Sequence, residues 1–354
     1  MTGTTHTVLA AGDLFVRAAD LDAALRAHDD LDFDVRHLTL PWPDVPFGAV
    51  GEVYEASGDE DQVVAALEGV EACVTQMAPV TRSVLERCPD LRIVAVGRGG
   101  PVNVNVEAAT EYGVLVTYAP GRNAVATAEH TVAMLLAAAR RIPAVHGELV
   151  DGTWRGDLYR YTEVGPEVAG NTVGLVGLGA IGARVATRLQ AFDAEIVFHD
   201  PYLDPTSDIA RDAAERGWSA VGLDELLERS GFVSLHARLT AESHGLVGRA
   251  QIDRLPPGAV LVNCARGGLL DYEALCDALD DGRLYGAAVD VFPEEPVPAG
   301  SRLLSTPRLV VTPHLAGASK ETAHNAAEIV AGDVARFLRG ERPRHCANPE
   351  VLDI

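Results

Sequence analysis

Along the first third of the chain, short apolar runs alternate with stretches in which apolar residues recur at helical spacing. The runs at residues 7–11, 34–38, 72–75, 93–96 and 115–117 have strand length, and residues 20–27, 62–67, 82–87 and 106–112 between them have helical patterning. This alternation predicts a parallel sheet with helices on its faces. The proline-rich stretch 41–46 predicts a loop. Residues 127–141 predict a helix bounded by Asn123 before it and Pro143 after it, with apolar positions around most of its circumference. Such a helix is buried on several sides, either in a core or in a subunit interface. Residues 150–169 carry Trp154, Tyr159 and Tyr161 without clear periodicity and predict a loop.

From residue 172 the pattern acquires chemistry. An apolar strand, residues 172–176, runs directly into Gly177, Gly179 and Gly182, spaced G-x-G-x-x-G, and a helix-compatible stretch follows. The first glycine permits a tight turn, the second lets a pyrophosphate approach the backbone, and the third lets the helix pack against the strand. The free N–H groups and positive dipole end of that helix point at the phosphates. A second strand, residues 195–198, leads to Asp200, at the distance expected of a carboxylate that binds ribose hydroxyls. That carboxylate repels the 2′-phosphate of NADP, and Pro201-Tyr202-Leu203 offers no cation to compensate, so the expected cofactor is NAD.

Four further apolar strands follow, at residues 232–235, 259–262, 286–289 and 309–312. Polar residues stand at or just past their ends: His236, then Arg266 in Asn263-Cys264-Ala265-Arg266-Gly267-Gly268, then Asp290 and Glu295, then His314. Open parallel sheets bind ligands outside the carboxyl ends of their strands, so these residues converge on the region of the glycine loop. Taken singly, each has a bland account as a turn or surface residue. Residues 320–338 predict a long helix with Ala326, Ala327, Val330, Val334 and Phe337 on its apolar face. Packed back on the first domain, it makes that domain discontinuous.

Composition narrows the class. The chain has 354 residues, enough for two domains, and 47% hydrophobic residues, enough for substantial cores. Its formal charge of −22 argues against nucleic acid or an anionic membrane as partner. An anionic substrate therefore needs a local basic pocket, and Gly97-Arg98-Gly99-Gly100-Pro101, after a strand, offers backbone N–H groups beside a cation. A plain structural turn is the competing account of that segment. The five cysteines show no C-x-x-C spacing and read as reduced thiols of a cytoplasmic protein. The first residues lack the pattern of a signal peptide, and the apolar run 131–139 is too short to span a bilayer. No metal site is expected.

Over nearly its whole length the chain resembles the D-isomer-specific 2-hydroxyacid dehydrogenase family. The motifs that carry the resemblance are Val176-Gly-Leu-Gly-Ala-Ile-Gly182, His199-Asp-Pro-Tyr202, Ser234-Leu-His-Ala-Arg-Leu-Thr240, Val262-Asn-Cys-Ala-Arg-Gly-Gly268, Val289-Asp-Val-Phe-Pro-Glu-Glu-Pro296 and Thr312-Pro-His-Leu-Ala-Gly317. The resemblance implies an α/β protein of two Rossmann-like, doubly wound parallel-sheet domains with the active site in the interdomain cleft. Residues 1–119 begin the substrate-binding domain, 120–316 form the NAD-binding domain, and 317–354 return to the first. It also implies a homodimer, with helix 127–141 near the interface.

Carried over position by position, the resemblance makes Arg266 the substrate-binding arginine, Glu295 its carboxylate partner and His314 the acid/base. Ala180, Ile181, Asp200, His236, Cys264, Ala265, Asp290 (near the nicotinamide amide) and Gly317 fall at cofactor contacts, with Arg98, Gly99 and Gly100 at the substrate. Chemistry agrees independently: a guanidinium binds a carboxylate through paired hydrogen bonds and polarises the neighbouring carbonyl. An imidazolium supplies the proton, and an adjacent carboxylate keeps it charged and oriented. Within the family, Gly97-Arg98 and Glu107-Ala-Ala-Thr110 are most similar to phosphoglycerate dehydrogenases. Three features depart from them: the segment 97–107 is shorter, Val74-Thr75-Gln76 stands where those enzymes tend to carry Val-Arg-Ser, and a long regulatory extension is missing.

The reading is thus an NAD-dependent oxidoreductase interconverting a small 2-hydroxy acid of the D series, phosphorylated or not, and its 2-oxo acid. Two alternatives stay open: a dehydrogenase of another small anion, formate or phosphite, on the same scaffold, and a non-catalytic NAD-sensing interaction module.

Overall fold

The computed structural model describes residues 4–42 and 48–353. Residues 43–46 of the expected proline-rich loop lie outside that description. The chain divides into two compact units, Met1–Asn123 with Ala318–Ile354, and Ala124–Gly317.

The first unit alternates β1 (Thr5–Gly12), α1 (Ala18–Arg26), β2 (Asp32–Thr39), α2 (Glu60–Leu67), β3 (Ala72–Thr75), α3 (Arg82–Arg87), β4 (Ile93–Val96), α4 (Val106–Glu111) and β5 (Leu115–Tyr118). Among the described residues these strands form one parallel sheet in the order β2-β1-β3-β4-β5. Successive residues of β1, β3, β4 and β5 feed opposite cores: Leu9, Cys73, Val94 and Val116 enter one, Val8, Val74, Ile93 and Leu115 the other. Burial on both faces is why β3, β4 and β5 read as short apolar runs, whereas the edge strand β2 keeps polar alternates and buries only Phe33. The long helix near the chain's end, Lys320–Leu338, lies in the second of these cores. Its Ala326, Ala327, Val330 and Val334 are fully buried there. Ser319 caps its first turn, accepting from the Thr322 N–H.

The second unit opens with α5 (Ala124–Ala139) and α6 (Ile142–Val150). It continues through β6 (Thr172–Val176), α7 (Gly182–Gln190), β7 (Glu195–His199), α8 (Asp208–Glu215), β8 (Ser219–Ala220), α9 (Leu223–Arg229) and β9 (Phe232–Leu235). Then follow α10 (Arg249–Ile252), β10 (Ala259–Asn263), α11 (Tyr272–Asp280), β11 (Leu284–Val289) and β12 (Leu309–Val311). The sheet order is β12-β11-β10-β9-β6-β7-β8, all parallel, so chain direction along the sheet reverses between β6 and β9. In the first unit the reversal lies between β1 and β3. Such switch points open crevices at the carboxyl ends of the strands.

Helix α5 is a core helix of its own unit: Ala128, Thr131, Leu135, Ala138 and Ala139 are buried. Pro143, read above as the stop of this helix, instead stands in the first turn of α6. A proline lacks only an N–H that the first turn leaves unpaired anyway. The break falls at Arg141, whose φ of 53° is left-handed. Beyond α6 the loop expected at 150–169 is present, apart from one turn of 3-10 helix at Gly156–Tyr159. Helices α8 to α11 have no counterpart in the sequence reading. The first three are short and bury few side chains, whereas α11 carries a readable cap, Asp271 accepting from the Ala274 N–H.

Candidate active site

The glycine loop follows β6 at the switch point of the seven-stranded sheet, and each glycine has its own geometry. Gly177 has φ of 98°, and a Cβ there would lie 2.7 Å from the Ala237 nitrogen, on the chain leaving β9. A Cβ on Gly182 would lie 2.3 Å from the Gly177 carbonyl oxygen, so α7 cannot start so close to β6 with any other residue. At Gly179 a Cβ would meet nothing within 4 Å, which leaves open space over the loop backbone. Among the described residues, the N–H groups of Gly179, Ala180 and Ile181 have no internal acceptor. Unpaired donors at the start of a nine-residue helix, with space above them, fit a dinucleotide pyrophosphate.

Asp200 ends the next strand. Its Oδ2 accepts from the Leu178 N–H at 2.8 Å and its Oδ1 from the Tyr202 N–H at 3.0 Å. The carboxylate thus fixes the glycine loop from the side where an adenosine ribose would lie, and each oxygen keeps a further lone pair for a hydroxyl. His236 turns its ring back to the sheet, with Nε2 2.9 Å from the Ser234 hydroxyl. Burial pushes this imidazole down to about 4, so it is neutral and forms a wall of the site.

The turn after β10 is shaped by Asn263, a fully buried residue to which the sequence reading gave no role of its own. Its Oδ1 accepts from the Ala265 N–H at 3.0 Å, while its Nδ2 donates to the Arg266 carbonyl at 3.0 Å and the Tyr272 hydroxyl at 3.3 Å. Cys264 is buried, and burial pushes its thiol up to about 12 despite a bond from Thr131, so it packs as an apolar group. Arg266 stands exposed on this turn, its Nη1 donating to the Ala265 carbonyl at 2.7 Å. Gly267, next to it, packs so closely on the Phe292 carbonyl that a Cβ would lie 1.9 Å away, which brings the Arg266 turn against the loop holding Glu295.

That loop meets the one after β12. Glu295 Oε1 accepts from the Phe292 N–H at 3.0 Å, and its Oε2 lies 2.7 Å from His314 Nδ1. Burial raises the Glu295 carboxyl, but the His314 contact, the Phe292 N–H and the Arg266 charge outweigh it and hold the group below the usual carboxylate range. An ionised carboxylate only accepts, so the His314 Nδ1 carries the hydrogen and Nε2 is the nitrogen left for chemistry. The backbone of His314 is left-handed, φ 52°, a conformation uncommon for a residue with a side chain.

Asp290 explains how this conformation is held. It is fully buried, with Oδ1 accepting from the Leu315 N–H at 2.8 Å and the Thr312 hydroxyl at 2.5 Å, and Oδ2 from the Ala316 N–H at 2.7 Å. His130 of α5 adds a contact of 3.1 Å to the same Thr312 hydroxyl. Asp290 therefore anchors the loop on both sides of His314. The sequence reading gave Thr312 and His130 no functional role of their own, since separate elements bring them to Asp290. Gly317 ends this loop as the last residue of the unit.

In the first unit, Arg98 follows β4 and pairs with the Glu55 carboxylate, its Nη1 also donating to the Glu55 carbonyl at 3.4 Å. Gly99 and Gly100 beside it have open space where a side chain would be.

Residues 132–316 match the family model for the D-isomer specific 2-hydroxyacid dehydrogenase, NAD binding domain. The chain is 42% identical to the D-3-phosphoglycerate dehydrogenase of Mycobacterium tuberculosis (strain ATCC 25618 / H37Rv) over 80% of its own length and 52% of that protein's. It thus spans about half the length of the phosphoglycerate dehydrogenases of Mycobacterium it matches. With a glyoxylate reductase of Korarchaeum cryptofilum the identity is 38%, over 85% of this chain and 89% of that one. The solved structure of the TT0316 protein from Thermus thermophilus superposes with a TM-score of 0.76 at 31% identity, covering 96% of this chain and 99% of that one.

Proposed function

This chain belongs to the D-isomer-specific 2-hydroxyacid dehydrogenase family, and from that premise we propose that it interconverts a small D-2-hydroxy acid and its 2-oxo acid with NAD. The observation that carries the reading is the Glu295–His314 pair, 2.7 Å apart, on loops of the sheet edge that also bears Arg266 and an open dinucleotide loop. The NAD-binding domain is the second unit, where Gly177, Gly179, Ala180, Ile181, Gly182, Asp200, His236, Cys264, Ala265 and Gly317 would hold the cofactor, with Asp290 near its nicotinamide amide. NAD, when bound, accepts or supplies the hydride.

The chain's own residues do the rest. Arg266 holds the substrate carboxylate by two parallel hydrogen bonds and draws charge onto the carbonyl oxygen. His314 gives its Nε2 proton to that oxygen in reduction and takes it back in oxidation. Glu295 keeps the ring oriented through Nδ1. Arg98, Gly99 and Gly100 serve the substrate from the first unit, the proposed substrate-binding domain.

The protein acts as a homodimer in this reading. Support comes from the apolar surface of α6 and the segment after it, where Trp154, Tyr159 and Tyr161 are 83%, 93% and 94% exposed and Ile142, Leu149 and Val150 lie open beside them. A reducing, cytoplasmic setting is supported by five unpaired cysteines. No described helix is long and apolar enough to cross a membrane. The test of the activity is NADH oxidation at 340 nm with a panel of 2-oxo acids. Turnover that requires Arg266 and His314 supports the reading, and none with any of them refutes it.

A further inference from the structure

Within the second unit, one buried side chain ties the Arg266 turn to the chain that carries Asp290 and Glu295, and the reaction above does not use it. Tyr272 opens α11 directly after the cap Asp271 and is 6% exposed. Its hydroxyl donates to the Val291 carbonyl at 2.5 Å and accepts from Asn263 Nδ2 at 3.3 Å. Val291 stands between Asp290, which anchors the His314 loop, and Phe292, whose N–H holds Glu295.

Asn263 is the other end of this strut. Its amide grips the turn at Arg266: Oδ1 accepts from the Ala265 N–H and Nδ2 donates to the Arg266 carbonyl, each at 3.0 Å. The Arg266 guanidinium rests in turn on the Ala265 carbonyl, at 2.7 Å. A tilt of the Asn263 amide therefore carries the guanidinium with it. Main-chain links run beside the strut, the Asp290 N–H to the Asn263 carbonyl at 3.0 Å and Gly267 against the Phe292 carbonyl. Neither fixes the plane of the Asn263 amide. The bond to the Tyr272 oxygen does, and it uses the last donor that the amide has.

We propose that Tyr272 is a positioning residue of the reaction: through Asn263, its hydroxyl fixes the Arg266 guanidinium relative to the Glu295–His314 pair. The proposal rests on the 2-hydroxy acid reading above, because it is the substrate carboxylate that Arg266 must meet at the right angle.

Burial raises the phenol above its usual range, the Asn263 bond lowers it, and the Glu295 charge raises it again. The net shift is upward, so at neutral pH the hydroxyl keeps the hydrogen that it gives to Val291. Tyr272→Phe preserves the ring and its packing. It leaves the Val291 carbonyl and one Asn263 hydrogen buried without partners. They regain partners only by moving, and what moves with the amide is the turn that it holds.

The experiment measures kcat, KM and NADH affinity for wild type, Tyr272→Phe, Arg266→Lys and the double variant, with the 2-oxo acid that wild type turns over fastest. Tyr272→Phe lowers kcat/KM by about tenfold or more, the scale expected of a misplaced binding group. NADH affinity, read by fluorescence titration, changes far less. In the Arg266→Lys background the same change costs about threefold at most, because an ammonium on a flexible stem does not depend on the angle of the turn. A hydroxyl that only supports the fold costs the same factor in both backgrounds. That result, or an unchanged kcat/KM in Tyr272→Phe, overturns the proposal and leaves the general activity standing. NADH affinity lost as fully as kcat/KM overturns it too. Oxamate, an unreactive isostere of pyruvate, is titrated against the NADH complex for the case in which wild type turns over no 2-oxo acid. Oxamate binding about tenfold weaker in Tyr272→Phe then sustains the positioning of Arg266 while the oxidoreductase reading falls. Equal behaviour of both proteins towards oxamate, absence of binding included, overturns the proposal.

Discussion

Glu295 Oε2 lies 2.7 Å from His314 Nδ1, and the two residues reach each other from loops that follow separate strands. Because the carboxyl is held below its usual range, the contact is ionic on the Glu295 side throughout neutral pH. The ring is thereby fixed as an Nδ1–H donor, and its Nε2 can take up or release a proton without the ring turning. The Asp290 bonds to Leu315 and Ala316 hold the backbone that presents it.

That anchoring gives a first expectation. Asp290→Ala leaves two backbone N–H groups and the Thr312 hydroxyl without their acceptor, at a cost of roughly 1–3 kcal/mol for each group that stays buried. Denaturant unfolding should show a loss of about 2 kcal/mol or more, and kcat should fall with it as His314 loses its fixed backbone. Full stability and full kcat in this variant would mean the loop holds itself.

Cofactor choice rests on Asp200. Wild type should show a higher kcat/KM with NADH than with NADPH, and Asp200→Ala should narrow that preference, measured at a fixed 2-oxo acid concentration. The same variant also loses the bond to the Leu178 N–H, so NADH binding should weaken as well. A wild-type preference for NADPH would sink the assignment.

Arg266→Lys keeps the charge and loses the planar, two-point contact. We expect kcat/KM to drop by roughly two orders of magnitude, as for a charge-assisted pair worth a few kcal/mol. NADH affinity, read by fluorescence titration, should change far less. Equal damage to both would make Arg266 a cofactor or folding residue.

Local chemistry was legible in the sequence and cross-chain chemistry was not. The glycine loop could be read because strand, turn, helix and Asp200 are contiguous, and each part signals its own geometry. The strand ends with Arg266, Asp290 and His314 were readable for a similar reason, a polar residue closing an apolar run. The Glu295–His314 contact spans 19 residues, and the bond from the Leu315 N–H to Asp290 spans 25. No periodicity connects such pairs, because the sheet topology alone brings them together. Helix α6 was hidden by a proline that opens a helix as readily as it closes one. Asn263 and Thr312 look like ordinary polar residues at strand ends until the bonds they make are seen.

The central claim is that His314 moves the substrate proton with Glu295 as its electrostatic partner. The most direct measurement is kcat/KM against pH in both directions for wild type, Glu295→Gln and His314→Ala, with deuterated NADH to confirm that hydride transfer limits the rate. Reduction needs the protonated ring, so its rate should fall as pH rises. Oxidation needs the neutral ring, so its rate should rise over the same interval. Glu295→Gln removes the carboxylate that fixes the His314 Nδ1–H and should lower kcat/KM in both directions, and His314→Ala should abolish most of the turnover and its pH dependence. Unchanged kcat/KM in Glu295→Gln, or near wild-type turnover in His314→Ala, while hydride transfer still limits the rate would contradict the account.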